Sequence, residues 1–200
     1  MIKSLLDLVF ASLGFLLLSP ILLAFAIWIK LDSPGPVFYR GVRAGKNFKP
    51  FRIFKFRSMV VNAEQIGGPS TPGDDPRVTK SGKFLRRFKL DELPQLINVV
   101  KGEISLVGPR PEVMEYAKLY TGEEKIVYSV KPGMTDYASL WNIDEGAVLA
   151  GAKTTEEAER KYLKEIRPEK VRLQMKYVKE MSVWTDIKII LLTVKSILFD

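Results

Sequence analysis

Two adjacent carboxylates, Asp91 and Glu92, follow a strongly basic stretch of the chain. The cations of that stretch are Lys83, Arg86, Arg87 and Lys89. Acidic residues just before Pro94 are ordinary in the first turn of a helix, where the helix dipole favours them. The neighbouring cations favour a second interpretation, a metal–phosphate site. In such a site one carboxylate attacks phosphorus while its neighbour holds a divalent metal.

Three further cations stand in settings that suit an anion. Arg110 lies between two prolines, which lower the backbone entropy that it loses on binding. Its planar guanidinium suits bidentate contact with a phosphate, although a structural turn explains the same pattern. Residues 51–57 alternate apolar and basic, which predicts a strand. That strand either has one solvated basic face or points Lys55 or Arg57 at an anion.

The composition limits the available chemistry. The 200-residue chain has neither cysteine nor histidine, which excludes thiolate nucleophiles, imidazole bases and Cys- or His-ligated metals. Any metal must be a hard ion bound by oxygen, such as Mg²⁺ or Mn²⁺. Hydrophobic residues make up 46% and charged residues 27%, which is typical of a chain that buries a core.

One segment is apolar enough to enter a membrane. Residues 8–29 form an uncharged run of 22 residues, long enough to cross a bilayer as a helix. Ser19 and Pro20 interrupt the run, and proline kinks or breaks a helix. A kink leaves one span. A break leaves two arms, Ile2–Leu18 and Pro20–Ile29, each too short to cross, which predicts a re-entrant hairpin.

The rest of the chain reads as a mostly helical α+β domain. Residues 1–30 carry a net charge of +1, which leaves +7 of the total of +8 for residues 31–200. Basic segments beside a membrane anchor stay in the cytosol. The predicted elements are strands at 37–40 and 51–57, a loop at 66–77, a short helix from Asp91 to Gly102, a helix from about Glu112 to Tyr120, an exposed helix at 155–167, and helices at 171–181 and 183–200. The last helix, which contains Trp184, suits either a membrane interface or the domain core.

Five motifs occur in an order that matches a known family. They are Ser19-Pro20 in the apolar run, Lys55-Phe56-Arg57-Ser58-Met59, Asp75-Pro76-Arg77, Leu90-Asp91-Glu92-Leu93-Pro94-Gln95-Leu96 and Gly108-Pro109-Arg110-Pro111. Over essentially its whole length the chain resembles the small bacterial monotopic phosphoglycosyl transferases, also called bacterial sugar transferases. Its length is similar to that of the minimal catalytic form, without the extra transmembrane helices of larger members.

The resemblance implies an architecture. Residues 1–30 would form a re-entrant helix-break-helix hairpin in the membrane, with the break at Ser19 and Pro20. Residues 31–200 would form a compact catalytic domain with a small β element and interfacial amphipathic C-terminal helices. The implied location is the cytosolic face of the bacterial inner membrane.

The resemblance also implies a reaction. A sugar-1-phosphate would move from a UDP-sugar to polyprenol (undecaprenyl) phosphate, giving polyprenyl diphosphate sugar and UMP as the first membrane step of glycoconjugate assembly. Asp91 would attack the β-phosphate and form a covalent phosphosugar intermediate, and Glu92 would bind Mg²⁺. Lys55, Arg86 and Arg110 would contact substrate phosphates. By the same analogy Asp186 is a further acid of the site.

Other interpretations stay open at this point. The chain is alternatively a membrane-anchored nucleotide-sugar hydrolase or a non-catalytic membrane scaffold. Membrane lipids are expected partners and nucleic acid is not, while association into a homo-oligomer is left open. Residues 133–145 depart from the family pattern, so they put the identity of the sugar in doubt.

Overall fold

The computed structural model describes residues 2–66, 75–142 and 155–199. Its helices are α1 Ile2–Asp32, α2 Ala63–Ile66, α3 Lys80–Arg87, α4 Gln95–Val100, α5 Met114–Ala117, α6 Tyr137–Trp141, α7 Thr155–Lys161, α8 Arg167–Glu180 and α9 Val183–Phe199. Its strands are β1 Phe38–Tyr39, β2 Val42–Ala44, β3 Pro50–Arg52, β4 Lys55–Phe56, β5 Ser105–Val107 and β6 Gly133–Thr135. Tight 3-10 turns cover Lys46–Phe48, Leu90–Glu92 and Gly122–Ser129, and Tyr162–Ile166 is π-helical. The predicted class, a mostly helical α+β fold with small sheets, is confirmed.

Helix α1 runs without interruption through Ser19 and Pro20, so the two predicted arms are joined in one helix. Pro20 has no N–H to donate to the carbonyl of Leu16, four residues earlier. The Ser19 hydroxyl donates to that carbonyl instead, at 2.7 Å. The serine therefore satisfies the acceptor that the proline leaves open, and helical hydrogen bonding continues.

Helix α1 packs against the domain along one side only. Ala11 lies in a buried cluster with Leu96 and Ile104, and Ile29 lies in a second cluster with Leu85. Much of the opposite side is exposed; Leu17, near the middle, is 76% exposed. Among the described residues, α1 is the one helix long and apolar enough to cross a membrane. Such a large apolar surface indicates contact with lipid or with another protein.

Polar side chains tie both ends of α1 to the same domain. Near its start, Lys3 forms an ion pair with Asp186 of α9. One turn later the buried carboxylate of Asp7 accepts hydrogen bonds from the Ser105 hydroxyl at 2.8 Å and from the Leu106 N–H at 3.2 Å. At its other end, Asp32 accepts from the main chain and the hydroxyl of Ser81, at 2.9 and 2.8 Å.

The strand predicted over residues 51–57 is two strands with different partners. β3 pairs antiparallel with β2, and β4 pairs antiparallel with β1. At the break between them, the N–H of Phe54 donates to the side chain of Asn98 at 2.8 Å. The Asn98 amide donates in turn to the carbonyl of Arg52 at 2.9 Å. A buried side chain of α4 thus replaces a strand partner and sets where β4 begins.

The third sheet is parallel and joins β5 to β6, with Ser105 opposite Gly133. The chain leaves β5 at Gly108, which lies against Gly133 so closely that a Cβ atom on either glycine would collide with backbone. Only glycine permits this approach, since every other residue carries a Cβ. The contact fixes where the turn containing Arg110 begins.

Two helical predictions differ from the structure in extent. The helix expected from about Glu112 to Tyr120 is limited to α5, and a 3-10 turn follows it after Thr121. The helix expected over residues 155–167 continues through the π-helical stretch into α8. It is not an exposed scaffold, because Tyr162 and Ile166 are buried.

Replacing Asn98 with alanine should destabilise the fold. The side chain is fully buried and also donates to Glu103 at 2.6 Å, so alanine leaves several buried polar groups unpaired. We expect the free energy of unfolding to fall by about 2–4 kcal/mol. Thermal unfolding in detergent measures this, with Lys101→Ala as control, since Lys101 also contacts Glu103 but is half exposed. Equal melting temperatures for both variants would contradict the role given to Asn98.

Candidate active site

The two carboxylates lie in a tight 3-10 turn between α3 and α4. Lys89, just before the turn, has left-handed backbone geometry with φ of 55°, which reverses the chain after α3. Pro94, with its fixed φ, stands at the N-cap of α4. The predicted short helix at this position is therefore confirmed, in two pieces, and both carboxylates come before the longer piece.

Glu92 is held by two cations from distant parts of the chain. Its carboxylate accepts from both terminal nitrogens of Arg110, with 2.9 Å between Nη1 and Oε2. Lys55 of β4 donates to Oε1 at 2.9 Å. These two cations hold the pKa of Glu92 well below its usual range, against the opposite effect of burial. Glu92 is thus a carboxylate at every physiological pH.

Asp91 has a contrasting environment. Its side chain is buried, and none of the described residues donates a hydrogen bond to its carboxyl group. Burial raises the pKa of Asp91, and the nearby charges of Lys55, Arg86 and Arg110 oppose that rise. A carboxylate that is desolvated, has no hydrogen bond and lies among cations has the properties of a nucleophile in an anion-binding site.

Five of the predicted site residues line one large cleft. The cleft has a volume of about 2380 Å³, and its lining includes Lys55, Arg86, Asp91, Glu92 and Arg110. These residues come from β4, α3, the 3-10 turn and the turn after β5. The structure thus brings together the two carboxylates and the three cations, whose individual roles stay predictions.

The carboxylate pair fits a Mg²⁺ ion that also binds substrate. Among the described residues there is no group of three or more metal-binding side chains. Mg²⁺ does not require such a group, because it is commonly held by one or two carboxylates together with substrate phosphates. Oε1 of Glu92 accepts from both Lys55 and Arg110, whereas Oε2 accepts from Arg110 alone and keeps one lone pair for a metal ion.

Arg57 also lines the cleft, but its guanidinium binds main-chain carbonyls at the end of α1. Its guanidinium donates to the carbonyls of Ser33 at 2.7 Å and Pro34 at 2.5 Å, just beyond the end of α1. It also contacts the carbonyl of Ile29 inside the helix at 3.4 Å. A cation at a helix C-terminus is favoured by the dipole. Lys55 and Arg57 therefore have different partners: Lys55 bonds to Glu92, and Arg57 bonds to the end of α1.

Three predicted residues lie outside the lining of the cleft. Asp186 pairs with Lys3 and accepts from the Tyr177 hydroxyl at 2.7 Å, so the structure does not bring it to the carboxylate pair. Its role as an acid of the site stays a prediction. Ser19 and Pro20 lie within α1, which continues through both residues, so the structure has no break in the helix at the predicted position.

Gln95 is a residue of the cleft to which the sequence assigned no role. Its side chain is 1% exposed and lines the cleft. Its amide nitrogen has no hydrogen-bond acceptor within the described part of the chain. Because a buried unpaired donor is costly, such groups are uncommon outside functional sites. The spacing of four residues from Asp91 was the available signal, since this spacing places two side chains on one side of a helix.

The fold and the cleft define a small α+β protein with a carboxylate–cation site beside a long apolar helix. Comparison with known proteins gives the family: the sequence model for bacterial sugar transferases matches residues 1–200. The chain belongs to the bacterial sugar transferase family.

Similar proteins have names that describe one reaction type. The UDP-glucose:undecaprenyl-phosphate glucose-1-phosphate transferase of Escherichia coli is 42% identical over 94% of this chain and 38% of its own length. The protein of the same name from Caulobacter vibrioides is 37% identical over 98% of this chain and 69% of its own length. The UDP-N-acetylgalactosamine-undecaprenyl-phosphate N-acetylgalactosaminephosphotransferase of Aeromonas hydrophila is 37% identical over 98% of this chain and 44% of its own length. The chain thus spans about two fifths of the length of several curated relatives.

Neutralising the two carboxylates should change stability in opposite directions. Asp91→Asn removes a charge that burial disfavours, so we expect the melting temperature to rise by about 2–4 °C. Glu92→Gln leaves Lys55 and Arg110 without their carboxylate, so we expect it to fall by at least as much. Thermal unfolding at neutral pH without ligand measures both, with the exposed Glu123→Gln as control. A lower melting temperature for Asp91→Asn would show that the cations outweigh desolvation.

Proposed function

We propose that this chain is a phosphoglycosyl transferase. It moves a sugar-1-phosphate from a UDP-sugar to undecaprenyl phosphate and produces polyprenyl diphosphate sugar and UMP. The observation that carries the proposal is the buried Asp91 carboxylate, to which no described residue donates a hydrogen bond and which shares a cleft with Lys55, Arg86 and Arg110. The names of the relatives support the same substrates.

The reaction proceeds in two displacements at one phosphorus atom. The Asp91 carboxylate attacks the phosphate that carries the sugar, an acyl phosphate bond forms, and the bond to UMP breaks. An oxygen of the lipid phosphate then attacks the same phosphorus atom. The new diphosphate bond forms, and the Asp91 carboxylate is released unchanged.

The remaining site residues would bind the negatively charged phosphates or the metal ion that compensates them. Arg86 and Lys55, which line the cleft, would bind the donor diphosphate, and Arg110 would use its planar guanidinium for bidentate phosphate contact. Glu92 would hold Mg²⁺ together with the substrate. When bound, the ion would neutralise charge on the diphosphate as UMP leaves.

The contacts of α1 support a re-entrant topology. Lys3 and Asp7 at one end, and Asp32 at the other, all bond to the same catalytic domain. If that domain lies on one side of the membrane, both ends of α1 lie on that side as well. A helix that spanned the bilayer would separate its ends by about 30 Å of hydrocarbon. Both ends of α1 therefore lie on one face of the membrane, and the exposed apolar side of its middle, near Pro20, enters the bilayer without a break in the helix.

The exposed surfaces beside α1 suit the membrane interface. In α9, the apolar side chains of Trp184 and Phe199 are about four-fifths exposed. At the other end of the molecule, the rings of Trp28, Phe84 and Phe88 contact each other with centroids 5.4 and 5.0 Å apart. Helix α3, which carries Phe84, also carries the exposed cations Lys80, Lys83 and Arg87, and the Arg87 guanidinium lies 5.5 Å from the centroid of the Phe88 ring. Aromatic rings with cations favour the headgroup layer of anionic lipids, and the net positive charge favours the cytosolic face of the bacterial inner membrane.

The first test is an assay of UMP release from a panel of UDP-sugars. With detergent-solubilised protein, Mg²⁺ and undecaprenyl phosphate, we expect one or a few sugars to yield UMP. Chelation with EDTA should stop release, and added Mg²⁺ should restore it. Asp91→Asn should lower the rate by at least about 1000-fold because it removes the nucleophile, whereas the exposed control Glu123→Gln should not.

Two outcomes of this assay would favour the alternatives. UMP release at the same rate without lipid would indicate a nucleotide-sugar hydrolase. No release from any sugar by the wild-type protein would favour a scaffold.

With donor alone, the intact mass of the wild-type protein should increase by one sugar-phosphate, and that of Asp91→Asn should not. A wild-type enzyme that turns over without forming this adduct would contradict the covalent step.

Topology can be tested directly because the chain has no cysteine. Single variants Ser4→Cys and Lys49→Cys place a thiol at the start of α1 and in the catalytic domain, both at exposed positions. We expect a membrane-impermeant maleimide to label both thiols in inverted inner-membrane vesicles and neither in intact spheroplasts. Labelling of Ser4→Cys in spheroplasts alone would establish a span and overturn the re-entrant topology.

A further inference from the structure

The main chain of Arg110 is held on both sides by buried side chains. Its N–H donates to Oδ2 of Asp136 at 3.3 Å, and its carbonyl accepts from Nε2 of Gln174 at 3.4 Å. Asp136 and Gln174 are both fully buried. The two prolines that flank Arg110 have no N–H, so Arg110 carries the one main-chain donor of this triplet.

These two side chains are themselves fixed. Oδ1 of Asp136 accepts from the N–H and the hydroxyl of Ser139, at 2.7 and 2.8 Å, and so caps the start of α6. Oε1 of Gln174, in α8, accepts from the buried Tyr120 hydroxyl at 2.9 Å. Neither side chain can turn away from Arg110 without breaking a second buried hydrogen bond.

The other end of Arg110 reaches the carboxylate pair. Its guanidinium makes the two-pronged contact with Glu92, the neighbour of Asp91. A continuous series of hydrogen bonds therefore leads from α6 and α8, through Arg110, to the reacting residues. Asp136 and Gln174 end in contact with the main chain of Arg110 rather than with the carboxylates.

We infer that Asp136 and Gln174 are positioning residues, which hold the backbone of Arg110 so that its guanidinium meets Glu92 and the substrate diphosphate. The inference rests on the proposed function for its kinetic consequence. A misplacement of about 1 Å in a group that orients substrate can lower a rate by about 100-fold. The two prolines limit the backbone angles of the turn, and the two buried side chains set its place against the cleft.

The inference also gives a structural role to one residue of the segment 133–145, which was considered above only for the choice of sugar. Asp136 belongs to this segment, of which residues 143–145 lie outside the described residues. In the described part, Asp136 accepts hydrogen bonds from the main chain of Arg110 and from Ser139 at the start of α6. A role of the segment in choosing the sugar stays a prediction.

The test uses two isosteric variants of the full chain. Asp136→Asn can keep an acceptor for Ser139 but turns an amide donor toward the N–H of Arg110. Gln174→Glu keeps the acceptor for Tyr120 but turns an oxygen toward the carbonyl of Arg110. We expect each to lower kcat/KM for the UDP-sugar by about 10-fold. The control, Ser129→Ala, removes a hydroxyl that donates to the carbonyl of Ile126 and lies outside the lining of the cleft, and it should alter kcat/KM by less than about twofold.

A double-mutant cycle separates positioning from general damage to the fold. In an Arg110→Lys background, which keeps the main-chain contacts but loses the two-pronged fork, Asp136→Asn should lower kcat/KM by less than about twofold. The same 10-fold loss in both backgrounds would overturn the inference. If Asp136→Asn fails to fold, the cycle is run with Gln174→Glu.

A stability cycle does not depend on activity. If Asp136 acts through Arg110 on Glu92, the falls in melting temperature caused by Asp136→Asn and Glu92→Gln should not add in the double variant. Additive falls would overturn the inference. Non-additive falls in a protein that releases no UMP from any donor would support the positioning and contradict the proposed function.

Discussion

The charge balance around Glu92 is the interaction on which the rest of the site depends. A carboxylate in this partly buried position must be compensated, and Lys55 and Arg110 provide that compensation from segments far apart in the chain. Their meeting draws β4 and the turn after β5 onto the 3-10 turn that carries both carboxylates. Glu92 takes up two of the cations, and no described residue donates a hydrogen bond to the buried carboxyl group of the adjacent Asp91. This contrast is the basis for the proposal that Asp91 is the nucleophile.

Helix α1 is bonded to the same two segments that supply Lys55 and Arg110 to the site. Arg57, two residues after Lys55, binds carbonyls at the end of α1, so the strand that supplies a cation to the cleft also holds the anchor. At the other end of α1, Asp7 reaches the main chain of β5, which leads into the turn of Arg110. A shift of α1 would therefore displace residues on two sides of the cleft. This arrangement suits an enzyme that receives one anionic substrate from the cytosol and another from the bilayer.

Much of the site was predictable because it consists of local motifs. Asp91-Glu92, the basic stretch before it and the proline-flanked Arg110 all line the cleft, as their residue types indicated. Predictions that needed distant partners were less successful. Asp186 was expected, from the family resemblance, to be a further acid of the site; its described partners are Lys3 and Tyr177, and that role stays a prediction. The strand over 51–57 is divided because Asn98, more than forty residues away, bonds to its middle, and no periodicity within the segment reveals that contact.

The sequence by itself limited the chemistry and identified one segment that is apolar enough to enter a membrane. Without cysteine or histidine, thiolate and imidazole groups are excluded, so any chemistry is left to carboxylates, lysines, arginines, tyrosines or hydroxyls. These conclusions depend only on residue type and on spacing along the chain. Only the tertiary structure decided which cation meets which carboxylate, that Arg57 holds α1 rather than an anion, and that Asp136 and Gln174 hold Arg110. The reason is physical: such assignments depend on distances of a few ångströms between residues far apart in sequence, and packing alone sets those distances.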